Sequence, residues 1–449
     1  MDDAPAGSGG AAPRTRYAPD DVAGLPRLWG GDVLVVGGGS AGSAAAVAAA
    51  RRGAATLLIE SGGFLGGTGA RVLDTFYGFY VPGSGERVVG GVGWEVCEQL
   101  FARGLAFERP NTYGAGTGVT YEPEALKVVW DELVTASGAE VLLYGLLTAV
   151  IADGDRLTGA VVETRAGPHA VAAGVVVDAS GDAEVAWRAG AALERSAADR
   201  SAQPATATFR LGGVGDDPAP TSELHRLMAR AREEGTHDLP RVEGSIHVTC
   251  LPGVRHANMT RVSGLDTTDP WELTAAEIAG RRQVGEYVRL LTERAPGYED
   301  AYLLQSSTRL GVRESRRLVG RYVLDRDDVL AARRFDDAVA RCGAPIEDHA
   351  AGQRTRWEYV GGGGEPTGRT YDIPYRSLLP VEVDGLLVAG RCLSATHDAH
   401  ASVRSMGQCM AMGEAAGTAA AIAADTGVEP REVPAASLRG HLAEQGALR

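Results

Sequence analysis

The chain has 449 residues, 44% hydrophobic and 23% charged, with a formal net charge of -14. That length exceeds one small core and suggests two or three units at about 150 residues each. The acidic balance argues against nucleic-acid or anionic-membrane partners, which need basic patches, and no run of about 20 apolar residues offers a spanning helix.

The N-terminal stretch is rich in Ala, Gly and Pro and has no apolar centre. It reads as a disordered arm over residues 1–28, not a signal peptide. Residues 32–36, Asp-Val-Leu-Val-Val, are a short apolar run with β-branched residues, the pattern of a buried parallel strand. Gly37-Gly38-Gly39-Ser40-Ala41-Gly42 and an Ala-rich helix follow, with Gly53 as its expected C-terminal cap. A second strand at 56–59 ends in Glu60.

A Gly-x-Gly-x-x-Gly turn gains meaning from this context: after a strand, opening a helix, with an acid at the tip of the next strand. Gly37 permits the tight turn, Gly39 lets backbone approach a pyrophosphate, and Gly42 lets the helix pack on the strand. The helix N-terminus offers free N–H groups and partial positive charge. Glu60 suits the hydroxyls of an adenosine ribose. A second glycine loop at 62–69, including Gly66, Gly67, Thr68 and Gly69, can wrap a pyrophosphate and ribityl chain from the other side, which favours FAD over NAD.

Further along, residues 123–137 read as a helix and 140–178 as strands with turns. The last of these, 175–178, runs into Ala179-Ser180-Gly181-Asp182. Residues 200–375 change texture, with Gly/Pro-rich loops and helices expected near 222–234, 274–294 and 327–342. The buried-strand pattern returns at 386–390, and a small-residue helix follows at 407–425. The nucleotide-binding unit is therefore expected to be discontinuous. Five cysteines without a C-x-x-C pair offer no local zinc or iron–sulfur motif, so no metal site is expected, and a reducing cytoplasm is.

The stretches VLVVGGGSAGSAAAVAAARRG, ESGGFLGGTGA, VVVDASGDAEVAWRAGA, LGVRESRRLVGRYVLDRDDV and LLVAGRCLSATHDAHASVRSMGQCMAMGEAAG together resemble the FAD-dependent oxidoreductase family whose flavin domain is of the glutathione-reductase type. The resemblance spans roughly residues 31–425. It implies an α/β fold: a Rossmann-like FAD-binding domain (29–75, 120–198 and 376–430), an inserted α+β substrate domain (76–119 and 199–375) and a helical tail (431–449). It implies FAD as cofactor, a small-molecule substrate and hydride chemistry. A homodimer is one assembly it leaves open, and neither nucleic acid nor membrane is an expected partner. Cofactor contacts implied are Gly37, Gly39, Ser40, Ala41, Gly42, Glu60, Ser61, Gly66, Gly67, Thr68, Gly69, Leu147, Thr148, Ala179, Gly181, Gly390, Arg391, Met406 and Gly407. Arg391 stands where related flavoproteins often carry an Asp for the ribityl chain.

Catalytic candidates come from residue chemistry. His397 and His400 lie between the last strand and last helix and are expected to border the flavin. Arg313, Arg404 and Arg261 suit a carboxylate substrate or the flavin edge, because the guanidinium fork is rigid and always charged. Tyr77, Phe79 and Tyr80 are candidates for the pocket wall, and Cys409 reads as a buried small residue. The expected reaction is removal of a hydride from a C–H next to O, N or C. An NAD(P)H-dependent monooxygenase and a flavoprotein passing electrons to a protein partner are the alternatives.

Overall fold

A computed structural model describes residues 15–111, 114–195, 202–349 and 355–448. Its centre is a sheet with a parallel core. The strands are β1 (Arg27–Val36), β2 (Thr56–Glu60), β3 (Glu140–Leu143), β4 (Leu146–Asp153), β5 (Arg156–Thr164) and β6 (Gly167–Asp178). Their spatial order is β4-β5-β6-β1-β2-β3. Strand β6 changes partner along its length: His169 faces Val162 of antiparallel β5, whereas Val176–Asp178 pair in parallel with Leu386–Val388. That late strand thus completes the parallel order only after the chain has built everything between.

β1 reads as a continuous apolar run because both faces of the sheet are covered. Val33 and Val35 pack toward helix α1 (Ser40–Arg51), and Leu34 and Val36 toward the β4–β5 ribbon and Val185. Helix α2 (Pro123–Ala136) buries Val129 and Trp130 in the first of these cores.

The segment between Asp178 and Leu386 builds a four-stranded antiparallel sheet: β7 (Phe209–Gly212), β8 (Ser245–Val248), β9 (Arg255–Asn258) and β10 (Tyr302–Ser306), in the order β8-β9-β7-β10. One face carries Phe209, Leu211 and Ile246 into a separate core with helices α3 (Thr221–Glu233) and α4 (Pro270–Arg294). The late strand, β11 (Leu386–Val388), is followed by α5 (His397–Val403) and α6 (Met406–Thr426).

Helix α6 crosses α1 at backbone contact. A Cβ on Gly413 or Gly417 would run into the carbonyl oxygens of Ala41 and Ala45. The Ala-rich and Gly-rich compositions of the two helices are complementary halves of one close packing surface.

Two expectations differ from the structure. Residues 1–14 of the expected arm lie outside the described residues, but Arg16 and Tyr17 pair in parallel with Val150 and Ile151. The helix expected at 327–342 is a short one, Arg326–Leu330, and Ala338–Cys342 is a strand against Tyr371–Pro374. Its charge pattern looked helical, but Ala332 adopts φ 54°, and Asp372 holds the Phe335 amide and Arg334. The rest of the expected arm, from residue 15 to 28, is ordered too, with a 3-10 turn at Pro19–Val22 and the first residues of β1. No helix of the described residues is long and apolar enough to cross a membrane.

Candidate functional site

At the end of β1, Gly37 takes φ 100° and its amide donates to the Ile59 carbonyl at 2.8 Å. Gly42 is required by close approach, since a Cβ there would strike the Gly37 carbonyl. Gly39 is different: its Cβ direction is open, with Gly67 Cα the nearest atom at 3.8 Å. Gly39 caps α1 with no side-chain hydrogen bond, so Ser40 and Ala41 open the helix onto a cavity with their backbone amides.

Glu60 organises this turn. Its carboxylate accepts from the Gly38 amide at 2.9 Å and the Gly62 amide at 2.6 Å, and pairs with Arg71 at 2.7 Å. Burial alone would raise its pKa; Arg71 and the two amides outweigh burial and hold it below the ordinary value. The carboxylate is therefore ionised and locked while it lines the cavity. Nearby, the Lys127 ammonium sits 4.1 Å from the Phe64 ring centre and 2.7 Å from Glu124.

The cavity is continuous and measures about 730 Å³, within the range of about 300–1,000 Å³ for ligand sites. It runs from Glu60 and Leu147, past the Gly37–Ala41 turn, to a pocket under Ser245 and Asn258 of the antiparallel sheet. Of the expected cofactor contacts, Gly37, Gly39, Ser40, Ala41, Glu60, Ser61, Gly67, Thr68, Leu147, Ala179, Gly181, Gly390, Arg391 and Met406 line it. Gly42, Gly66, Gly69, Thr148 and Gly407 do not, and each has another task. The Gly66 amide donates to the Gly38 carbonyl, the Gly69 carbonyl accepts from Tyr121, and the Thr148 carbonyl accepts from Arg188. The Gly407 amide donates to the Tyr77 carbonyl at 3.0 Å. With Gln408 bound to the Gly78 carbonyl at 2.7 Å, this pins residues 77–78 across the start of α6.

Arg391 lines the cavity beside an acid. Its guanidinium binds Asp182 at 2.8 Å, and Asp182 also accepts from Ser315. An aspartate is thus present at this part of the cavity from position 182, in place of one at 391.

Neither expected histidine lines the cavity. His397 Nδ1 bonds Glu314 at 2.9 Å, and its Nε2 lies 3.5 Å from Asp348. Glu314 also pairs with the buried Arg317, so a charge network draws the imidazole away. His400 is wholly buried, with Nε2 on the Arg391 carbonyl at 2.8 Å, and burial pushes its pKa well below the ordinary value. It is a neutral donor that shapes the Gly390–Arg391 turn. Arg261 is also outside, paired with Glu243 at 3.3 Å. Asp348, His397 and Asp398 have metal-ligand spacing, but Arg356 lies 3.0 Å from Asp398 and 3.6 Å from Asp348, so a cation already stands there.

Arg313 and Arg404 do line the cavity, and Arg241, Tyr77, Tyr80, Glu347 and His349 join them. Phe79 is instead core. His349 Nε2 lies 3.1 Å from Glu347, and Nδ1 lies 2.9 Å from the Thr355 hydroxyl. Burial lowers the His349 pKa to about 4, although Glu347 pulls it up. Burial opposes ionisation of Glu347 too, but His349, Arg404 and Arg313 bring it down to about 2. At neutral pH the pair is a carboxylate holding a neutral imidazole. The signal for it was an acid and a histidine two apart in a strand-like segment, which places both on one face. Cys409 also lines the cavity, with its thiol pushed up to about 12 by burial.

The family model for FAD dependent oxidoreductases matches residues 32–442. The chain belongs to that family. It is an FAD-dependent oxidoreductase, and the open Gly39–Gly67 cradle, the uncapped start of α1 and the cavity volume fit that cofactor. No curated protein matches the sequence significantly. Solved structures that align with it include a geranylgeranyl bacteriochlorophyll reductase-like protein from Thermoplasma acidophilum, at 15% identity and TM-score 0.47, covering 93% of this chain and 84% of that one. The flavin-dependent brominase Bmp2 aligns at 14% identity and TM-score 0.48, covering 92% and 83%. The anhydrotetracycline hydroxylase OxyS from Streptomyces rimosus aligns at 13% identity and TM-score 0.44, covering 93% and 66%.

Proposed function

We propose that this flavoenzyme is a dehydrogenase or oxidase that removes a hydride from a small organic molecule at a C–H next to O, N or C. The observation that carries the reading is the Glu347–His349 pair, which faces the same cavity as the dinucleotide turn. FAD, when bound, supplies a two-electron acceptor for the hydride. The residues assigned to hold it are Gly37, Gly39, Ser40 and Ala41 at the diphosphate, Glu60 and Leu147 at the adenosine, and Asp182 with Arg391 farther along.

Because Nε2 faces Glu347 and Nδ1 faces the Thr355 hydroxyl, the accompanying proton reaches His349 Nδ1 by exchange through that hydroxyl, and Glu347 stabilises the imidazolium. Tyr77, fixed through its carbonyl to the start of α6, walls the pocket and excludes water. Mixing the holoenzyme anaerobically with pools of small alcohols, amines and acids tests the reading. Bleaching of the flavin by at least one pool is expected. Rapid bleaching by NADPH under air without any substrate is the result that overturns it in favour of a monooxygenase.

A further inference from the structure

This inference rests on the proposed function and concerns the charge of the substrate. The cavity end that holds Glu347 and His349 also holds the guanidinium groups of Arg241, Arg313 and Arg404. Arg241 is partnered by Glu243 at 3.7 Å. Arg313 and Arg404 make no ion pair with a described residue. The bonds found for their guanidinium groups are to neutral oxygens: the Pro204 carbonyl at 2.6 Å for Arg313 and the Gln203 amide at 3.4 Å for Arg404. Arg404 Nε and Arg241 Nε are buried without a hydrogen-bond partner. Burial and the neighbouring Arg404 and Arg241 push Arg313 down to about 9. Glu347 is the one cavity acid acting on both Arg313 and Arg404.

Two buried guanidinium groups thus share the one carboxylate of Glu347, and a cluster left with excess positive charge is suited to receive a second anion. The cofactor diphosphate has its own provision at the other end. There the α1 N-terminus opens into the cavity, and Arg309 lines it among Arg71, Glu60 and Asp182. Phosphate recognition commonly adds backbone amides, but the Gly407 amide at the start of α6 is taken by the Tyr77 carbonyl. What remains is side-chain forks of guanidinium, which match a planar carboxylate.

We infer that the substrate is an organic acid whose carboxylate is received by Arg313 and Arg404, with Arg241 beside them. The test is titration of the FAD-loaded enzyme with benzoate, succinate and acetate, each against its amide, following the flavin absorption bands. At least one acid should bind at least about tenfold tighter than its amide. Arg313→Met and Arg404→Met should each abolish that preference at unchanged FAD content, and Arg→Lys at either position should keep part of it. Equal binding of acid and amide in all three pairs would overturn the inference. So would Met variants that hold FAD and keep the preference. The comparison of acid with amide on the unaltered enzyme decides the matter even if a Met variant fails to fold. Failure of any substrate to bleach the flavin would sink the proposed function and leave this binding result standing.

Discussion

His349 and Glu414 are both buried, the first assigned to the proposed proton transfer and the second held in the packing of α6. If His349 accepts the proton, His349→Asn should slow flavin reduction by about 10²–10⁴-fold with FAD content and melting temperature unchanged. The unaltered enzyme should lose kcat/KM only as pH falls toward about 4, where the imidazole charges. Glu414, on α6, accepts the Val92 amide at 2.9 Å, and burial raises its pKa to about 7. Its folded-state value lies above the unfolded one, so its stabilising effect is full below the unfolded pKa and lost as pH rises through about 7. The difference is on the order of 3 kcal/mol. Glu414→Gln should therefore unfold at a higher temperature than the parent above pH 7, and the gap should close at pH 4 in thermal melts. The dinucleotide turn was legible because its residues are neighbours in sequence. The fate of His397 was not, since Glu314, which captures it, lies 83 positions away. Glu347 and His349 left a readable trace in their spacing, but only the fold says that they face a cavity.

At the scale of elements, the contact between α1 and α6 leaves no room for a side chain. Gly417→Ala should cost about 1–3 kcal/mol through overpacking, read as a lower melting temperature of apo and holo protein alike. Gly39→Ser separates binding from stability, because its Cβ direction is open and Ser is a favourable N-cap residue. That variant should keep the apoprotein melting temperature and lose FAD on gel filtration. The buried strands announced themselves by apolar runs, and α6 by its small residues. The 327–342 segment misled because its charges alternate as on a helix surface. The strand at Ala338–Cys342 is dictated by its partner Tyr371–Pro374, a contact that local pattern does not carry.

For the molecule as a whole, the cavity takes residues from Val36 to Cys409, and the sheet is completed only by Leu386–Val388. FAD binding should therefore stabilise the entire chain. At a hundredfold excess over Kd the gain is about 3 kcal/mol, visible as one cooperative melting transition that moves upward with added FAD. The discontinuous order of the sheet was readable from the returning strand pattern, whereas the roof of the cavity was not, because Arg241, Ser245 and Asn258 meet it only through the antiparallel sheet. The placement of Lys127 over Phe64 has a practical corollary. Lys127 is the only lysine in the sequence, so an amine-directed dye reaches a single side chain, and that side chain rests on the glycine loop at 62–69. A fluorophore tethered there, once separated from label on the chain's α-amine, would watch cofactor arrival from one defined address.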